Sequence, residues 1–340
     1  MKLSFCIPTY NRCKFLKKNL DIIIGQIREL SVEKDVEILI NDNASPDQTE
    51  ELCQDYIKRN PDIHIEYNKN ERNEGPDWNF IKAMHLAHGE YSILFGDDDF
   101  LITGSLKKYF DLMEQKDISI FYSNRINVNA EGNVLGEQIF LDIPGESKVF
   151  DFSNEDSIRS FFYGVRSLGG IMTFISSVMY KTSILRKFPF NESIIGSNYA
   201  FLYYWWSELM NGGKLCFINS SLVQATTSGA TNNNYGEMVD RIMVDYLGIP
   251  QIVNCVTTDD VIKKYFYKVI DFDHPFINLQ EAYVKDRKKF ELLLEPKLLE
   301  LGWKDDDIKW IKYTASPRRM LVIFYYRYFK SLLGQHKIFK

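Results

Sequence analysis

The chain has 340 residues, 45% of them hydrophobic, and a formal net charge of -5. That length supports a buried core in one large domain or two moderate ones, and the mild acidity excludes a global basic field of the kind that gathers nucleic acid. The five cysteines are odd in number and none pairs at CxxC spacing, so reduced thiols are expected.

Residues 3–7 form an apolar run closed by Pro8 and read as a buried strand. Phe15, Leu16, Leu20, Ile23, Ile24 and Ile27 recur at helical spacing across 14–27. A second strand covers 36–40 and ends in Asn41-Asp42-Asn43. Asp47 with Glu50 three residues later predicts a capped helix to about Arg59, which Pro61 stops. Strand 63–67, helix 78–88 closed by Gly89, strand 91–95, helix 104–115 and strand 118–123 follow. Residues 124–167 are less regular, with turn signals at Gly132 and at Pro144-Gly145. The segment 198–210 is apolar nearly all round and predicts a buried helix, and 215–218 a further strand. Residues 226–236 read as a polar loop, and the chain from 237 onward as mainly helical.

Strands alternating with helices imply βαβ units and a mostly parallel sheet. Ligands bind such sheets beyond the carboxyl ends of the strands. The polar motifs at 8–12, 41–45 and 97–99 each follow a strand, so they are expected to converge on one rim. Three adjacent carboxylates at Asp97, Asp98 and Asp99 repel one another unless something neutralises them. A divalent cation with hard oxygen ligands does so, and Mg²⁺ commonly takes one or two carboxylates plus substrate phosphates. A solvated acidic turn is the alternative. The 41–45 cluster offers hydrogen-bonding groups to a base edge, or simply an Asx turn. Tyr10 and Arg12 suit a ribose or base and a phosphate, or a plain loop. Arg72 precedes a helix N-terminus, a place that favours anions. The chain has no GxxxxGK[ST] loop and no GxGxxG after its first strand, which argues against P-loop enzymes and dinucleotide dehydrogenases.

PTYNR near residue 10, a DNAS-type turn at 42, an NxG step at 73–75 and a GEYxxxxxDDD block at 89–99 occur in that order. Together they resemble glycosyltransferase family 2, closely over 1–125 and loosely over 126–225. The resemblance implies the GT-A fold, a Rossmann-like and mostly parallel sheet flanked by helices, with a smaller mainly helical C-terminal region. It implies a catalytic domain over 1–236 and a helical region over 237–340. It also implies a nucleotide-diphosphate sugar donor, a saccharide or lipid-linked saccharide acceptor, an inverting transfer in bacterial surface polysaccharide synthesis, and Mn²⁺ or Mg²⁺. By motif position, Pro8, Thr9, Tyr10, Arg12, Asp42, Asn43, Arg72, Asp97 and Asp98 are expected on the donor, and Asp97 and Asp99 on the metal. Many members carry two acids where this chain has Asp42-Asn43, which weakens a strict uridine preference. The Phe95-Gly96-Asp97-Asp98-Asp99 run, with Ile195-Gly196-Ser197-Asn198 later, is similar to abequosyltransferase-like members.

The family's general base departs from the pattern. Members usually carry an acidic pair before the helix near residue 200, and this chain reads Gly196-Ser197-Asn198-Tyr199. Glu192 lies on the expected loop and is the candidate base, with Glu208, Asp151 and Asp156 as alternatives. Residues 317–340 hold six Lys or Arg, no acid and many apolar and aromatic residues. Such a tail fits an anionic membrane surface or packing on the catalytic domain. With no signal peptide and no long apolar span, the chain is expected to be cytoplasmic, peripheral on the inner face of the membrane if the tail docks there. Two other classes stay open: a nucleotide-sugar-binding module without catalysis, and a metal-dependent nucleotidyltransferase or phosphohydrolase.

Overall fold

The computed structural model describes residues 1–129, 131–226 and 238–315. β1 (Leu3–Thr9) and β2 (Val36–Asp42) are buried at every position. That is the pattern of parallel strands covered on both faces. Side chains alternate between faces, so Leu3, Phe5 and Ile7 join one core with Leu16, Leu20, Ile23 and Ile27 of α1 (Cys13–Leu30). Cys6 faces the second core, with Leu39, Ile81 and Met84. α1 ends where Ser31 turns left-handed and its N–H returns to the last carbonyls of the helix.

The chain continues with α2 (Thr49–Arg59), β3 (His64–Lys69), α3 (Pro76–His85), β4 (Tyr91–Leu94), β5 (Asp99–Leu101), α4 (Ser105–Met113) and β6 (Ile120–Val128). Then come β7 (Val134–Gln138), β8 (Ser147–Asp151), α5 (Glu155–Gly164), β9 (Val178–Lys181), α6 (Ile184–Lys187), α7 (Ala200–Met210) and β10 (Lys214–Thr226). The C-terminal helices are α8 (Met238–Val256), α9 (Asp260–Asp273), α10 (Phe276–Lys285), α11 (Arg287–Lys289), α12 (Glu295–Glu300) and α13 (Asp305–Thr314).

The sheet runs β3-β2-β1-β4-β9-β6-β10-β5. Its first four strands are parallel, as the alternating pattern predicts. The antiparallel members are β9 between β4 and β6, β7 on β6, and β5 and β8 on β10, with β7 and β8 supplied by the irregular 124–167 stretch. Register sets the site. Thr9 pairs with Asp42, and Cys6 pairs with Leu94, so β1 overhangs the end of β4 by three residues. The Asp97-Asp98-Asp99 turn folds back into that overhang.

Two local expectations are corrected. The Asp47–Glu50 capping box does not form, because Asp47 accepts from Thr49 N at 3.2 Å and Cys13 N at 3.0 Å while Glu50 pairs with Lys69 at 2.7 Å. The strand predicted at 215–218 extends from Lys214 to Thr226, because its second half pairs with β5 and β6.

α7 is buried from Ala200 to Leu209, as its all-round apolar sequence requires. Trp206 stacks on Phe162 of α5 and meets Phe266 of α9, so the helices after residue 237 share a core with the sheet. His274 and Asp245, both buried, meet at 2.7 Å and tie the end of α9 to α8. No helix among the described residues is long and apolar enough to cross a membrane. The 317–340 tail and most of the 226–236 loop lie outside the described residues.

Candidate active site

Residues 95–98 make the turn between β4 and β5, and Asp99 opens β5. The Thr9 hydroxyl donates to Asp97 Oδ2 at 2.7 Å. Arg12 Nη1 lies 3.1 Å from Asp97 Oδ1 and 3.0 Å from Asp98 Oδ2. Arg12 is therefore the built-in counter-charge for two of the three carboxylates. Asp97 and Asp99 are buried, and Asp98 is half-buried. Asp99 accepts a hydrogen bond from the Ser176 hydroxyl, which itself accepts from Gly96 N at 2.8 Å. Gly96 is required here: a Cβ would stand 2.6 Å from Asp99 Oδ2. From α1, the Asn19 amide donates to the carbonyls of Gly96 at 3.0 Å and Asp99 at 2.7 Å. Burial holds the Asp97 and Asp99 carboxyls above the ordinary carboxylate range. Arg12 works against this at Asp97, while Asp98 adds to it at Asp99.

The second motif is packed tightly beside the first. Asp42 is fully buried; its Oδ1 accepts from Ser45 N at 2.9 Å and its Oδ2 from the Tyr67 hydroxyl at 2.7 Å. Asn43 donates to Asn73 Oδ1 at 2.9 Å and Gly75 O at 3.1 Å, and accepts from Asn70 at 3.0 Å and Glu74 N at 3.0 Å. Two donors and two lone pairs are all an amide has, so Asn43 is committed to building the turn. Pro8 is buried in β1, and the Tyr10 ring beyond it is exposed. Arg72 is exposed on the rim of a polar cavity of about 630 Å³, also lined by Lys69, Asn70, Glu74 and Lys82. The structure thus brings Thr9, Arg12, Asp97, Asp98 and Asp99 into one contact network, with Asp42 and Asn43 adjoining it. It sets Arg72 to one side.

Among the described residues no group of three His, Cys, Asp or Glu gathers as a ligand set. A closed protein cage for a metal is therefore ruled out among them. The donor set that remains, one or two carboxylates held in a buried turn, fits a hard cation whose other ligands are phosphate and water.

The candidate bases separate by position. Glu208 accepts from Ser119 at 2.8 Å and pairs with Lys187 at 2.6 Å, and Asp151 pairs β8 with Lys214. Ser119 and Lys214 adjoin the amino ends of β6 and β10, so both acids lie at the end of the sheet away from the Asp turn. Asp156 is exposed on the first turn of α5. Glu192 is exposed, and its turn leans on α8 through Gln251, which donates to Ser193 O and, at 3.2 Å, to Ile195 O. No hydrogen bond or ion pair joins Glu192 to the Asp turn.

Four residues were not singled out from sequence: Asn19, Arg125, Ser176 and Asp77. Arg125 stacks on Phe174, 4.2 Å from the ring centroid, and its Nε donates to Gln138 at 3.0 Å; its charge acts on Asp99. A polar residue on the buried stripe of α1 was the one readable signal, and it points equally to Asn19 and Gln26.

The Glycosyl transferase family 2 model matches residues 4–186. Abequosyltransferase of Salmonella typhimurium is 29% identical over 282 residues, covering 82% of this chain and 82% of that protein. The GalNAc(5)-diNAcBac-PP-undecaprenol beta-1,3-glucosyltransferase of Campylobacter jejuni is 28% identical, covering 74% of this chain and 74% of that protein. Among solved structures, S. aureus TarS 1-349 in complex with UDP-GlcNAc superposes with a TM-score of 0.59 at 19% identity, covering 94% of this chain and 83% of that one. The GT-A-like fold expected from the motifs is the fold observed.

Proposed function

The chain belongs to glycosyltransferase family 2, and on that premise we propose that it moves a sugar from a nucleoside-diphosphate donor to a hydroxyl of a saccharide or lipid-linked saccharide. The setting is bacterial surface polysaccharide synthesis, and the transfer is inverting. The observation that carries this reading is the Asp97-Asp98-Asp99 turn packed against Thr9 and Arg12 at the carboxyl ends of the parallel strands. The relatives' names support it: one is an abequosyltransferase, the other acts on an undecaprenol-linked glycan.

Pro8, Thr9, Tyr10, Arg12, Asp42, Arg72, Asp97 and Asp98 form the donor side. The exposed Tyr10 ring offers a face to the base, and Arg12 offers charge to the diphosphate. Asn43 serves that side by shaping the turn, since its amide is already satisfied. Asp97 and Asp99 would hold Mn²⁺ or Mg²⁺, which when bound supplies positive charge to the departing diphosphate. Thr9, Asn19 and Ser176 keep those carboxylates in place. Glu192 is the proposed general base that takes the acceptor proton. Residues 1–236 carry the catalysis, and the helices between 238 and 315 pack against them. The basic stretch 317–340 would hold the enzyme beside a membrane-borne acceptor at the cytoplasmic face.

Incubating the protein with radiolabelled nucleotide sugars, Mn²⁺ and a bacterial lipid-linked glycan extract tests the reading. Label must move to the glycan. Release of free sugar alone would mark a hydrolase, and binding without turnover a non-catalytic module.

A further inference from the structure

The acid absent from 196–199 is present in space, supplied by another element. Asp77, in the first turn of α3, is 4% exposed, and no cation among the described residues pairs with it. Its carboxylate accepts from Gly196 N at 2.8 Å, Asn198 N at 3.0 Å and Ala200 N at 3.2 Å. Gly196 at φ +89° and Asn198 at φ +61° are both left-handed, and this conformation turns the three N–H groups toward one point. Such a concavity of amides binds an anion, and here Asp77 is that anion. With its lone pairs directed to three donors, Asp77 is poorly placed to accept a substrate proton. Its work is to hold.

What it holds is the entry to α7, which α8 grips from the far side. A Cβ at Gly248 would fall 2.0 Å from Ser197 O, so the α8 backbone lies directly on this loop. On the other side, α3 is pinned to the donor motifs. Gly75 O accepts from Asn43, and the Asn79 amide lies between the Thr9 backbone and the Asn41 side chain. Thr9 in turn donates to Asp97. A path of hydrogen bonds and a single helical turn therefore runs from Asp97 through Thr9, Asn79 and Asp77 to residues 196–200.

We propose that Asp77 is a positioning residue that fixes the 196–200 loop relative to the donor turn, so that occupancy of the donor side tightens the loop. This rests on the transferase reading, which puts a diphosphate against Asp97 and the acceptor near the start of α7. α3 moves as one rigid piece because Asn79 and Asp77 share a turn. Whatever immobilises Thr9 and Asp97 is felt at the three amides.

The test is hydrogen exchange on the full chain, with UDP, GDP and CDP each tried with Mn²⁺ as the probe. In the wild type, saturating nucleotide slows exchange at Gly196, Asn198 and Ala200 by about fivefold or more. In Asp77→Asn, nucleotide affinity stays within about threefold, while that slowing drops below about twofold. A merely structural Asp77 would raise exchange equally with and without nucleotide and leave the ratio intact, which overturns the proposal. So does a wild type that binds nucleotide with no slowing at these amides. Failure of every nucleotide to bind would instead sink the transferase reading, and this inference with it. If Asp77→Asn does not fold, Gly196→Ala replaces it. Its methyl enters open space and disturbs only the left-handed backbone, and the same loss of slowing is expected.

Discussion

Removing Arg12 should destabilise the metal-free protein and make it more responsive to a divalent cation. Arg12 Nη1 is 3.1 Å from Asp97 and 3.0 Å from Asp98, and Asp97 is 3% exposed. Breaking a buried pair from one side costs about 3 to 5 kcal/mol when the orphaned charge cannot escape. Here it can. Burial already holds the Asp97 carboxyl high, so in Arg12→Ala it takes up a proton instead of staying charged. The Arg12 side chain is also 23% exposed, so water screens part of the attraction. Both effects reduce the expected loss at neutral pH to about 2 kcal/mol. At about 2.1 cal/mol/K of unfolding entropy per residue, that is a fall of about 3 °C in Tm. Mn²⁺ at about one hundred times its Kd returns about 2.7 kcal/mol to any form that binds it. In Arg12→Ala the cation no longer shares Asp97 with a guanidinium, so its Tm gain should exceed the wild-type gain. Scanning calorimetry with and without Mn²⁺ reads both quantities. An unchanged Tm together with an identical Mn²⁺ gain would refute the view that Arg12 and a cation both compensate Asp97.

Burial raises the carboxyls of Asp77, Asp97, Asp99, Asp271 and Asp273. A raised carboxyl costs stability as it ionises, so the metal-free Tm should fall as pH climbs from about 4 to about 8. Asp21, Asp47, Asp62 and Asp151 are shifted the other way and lose their contribution only below about pH 4, outside that window, while His85, its pKa lowered by desolvation, opposes the fall within it as one group against five. The Tm gain from Mn²⁺ should grow over the same climb, because the cation needs ionised ligands; a gain that is flat with pH would count against Asp97 and Asp99 as ligands. Asn19→Ala leaves two buried carbonyls without their side-chain donor and should cost about 1 to 3 kcal/mol in urea unfolding. Gly96→Ala forces Asp99 aside and should abolish Mn²⁺-dependent nucleotide binding while the far-UV circular dichroism stays native. Glu192→Gln should cut the transfer rate by about a hundredfold or more at unchanged Tm. Glu208→Gln should instead lower Tm, since that acid is buried against Ser119 and Lys187.

The rim of the site was legible in the sequence because β1, β2 and β4 are short, mostly apolar runs that stop at polar motifs. A parallel sheet leaves those motifs no other place to meet. The parts that were not legible depend on partners far along the chain. β5 is three residues long and exists because Asp99–Leu101 pairs with Val223–Ala225 of β10. Asp77 after Pro76 looks like an ordinary acid in a first helical turn, and nothing local reveals that its hydrogen-bond partners begin at Gly196. Asn43 matched a base-reading position by motif, yet four hydrogen bonds within the protein use up its amide. The Asp47–Glu50 spacing was a valid cap signal that lost to a tertiary competitor, the N–H of Cys13.

Calorimetric titration of UDP, GDP and CDP into the wild type and into Asp99→Asn, with Mn²⁺ and with chelator, tests the donor site most directly. At least one nucleotide should bind the wild type far more tightly with Mn²⁺ than with chelator, and Asp99→Asn should erase that difference. Tight binding that ignores both the metal and the Asp99 substitution would contradict the account.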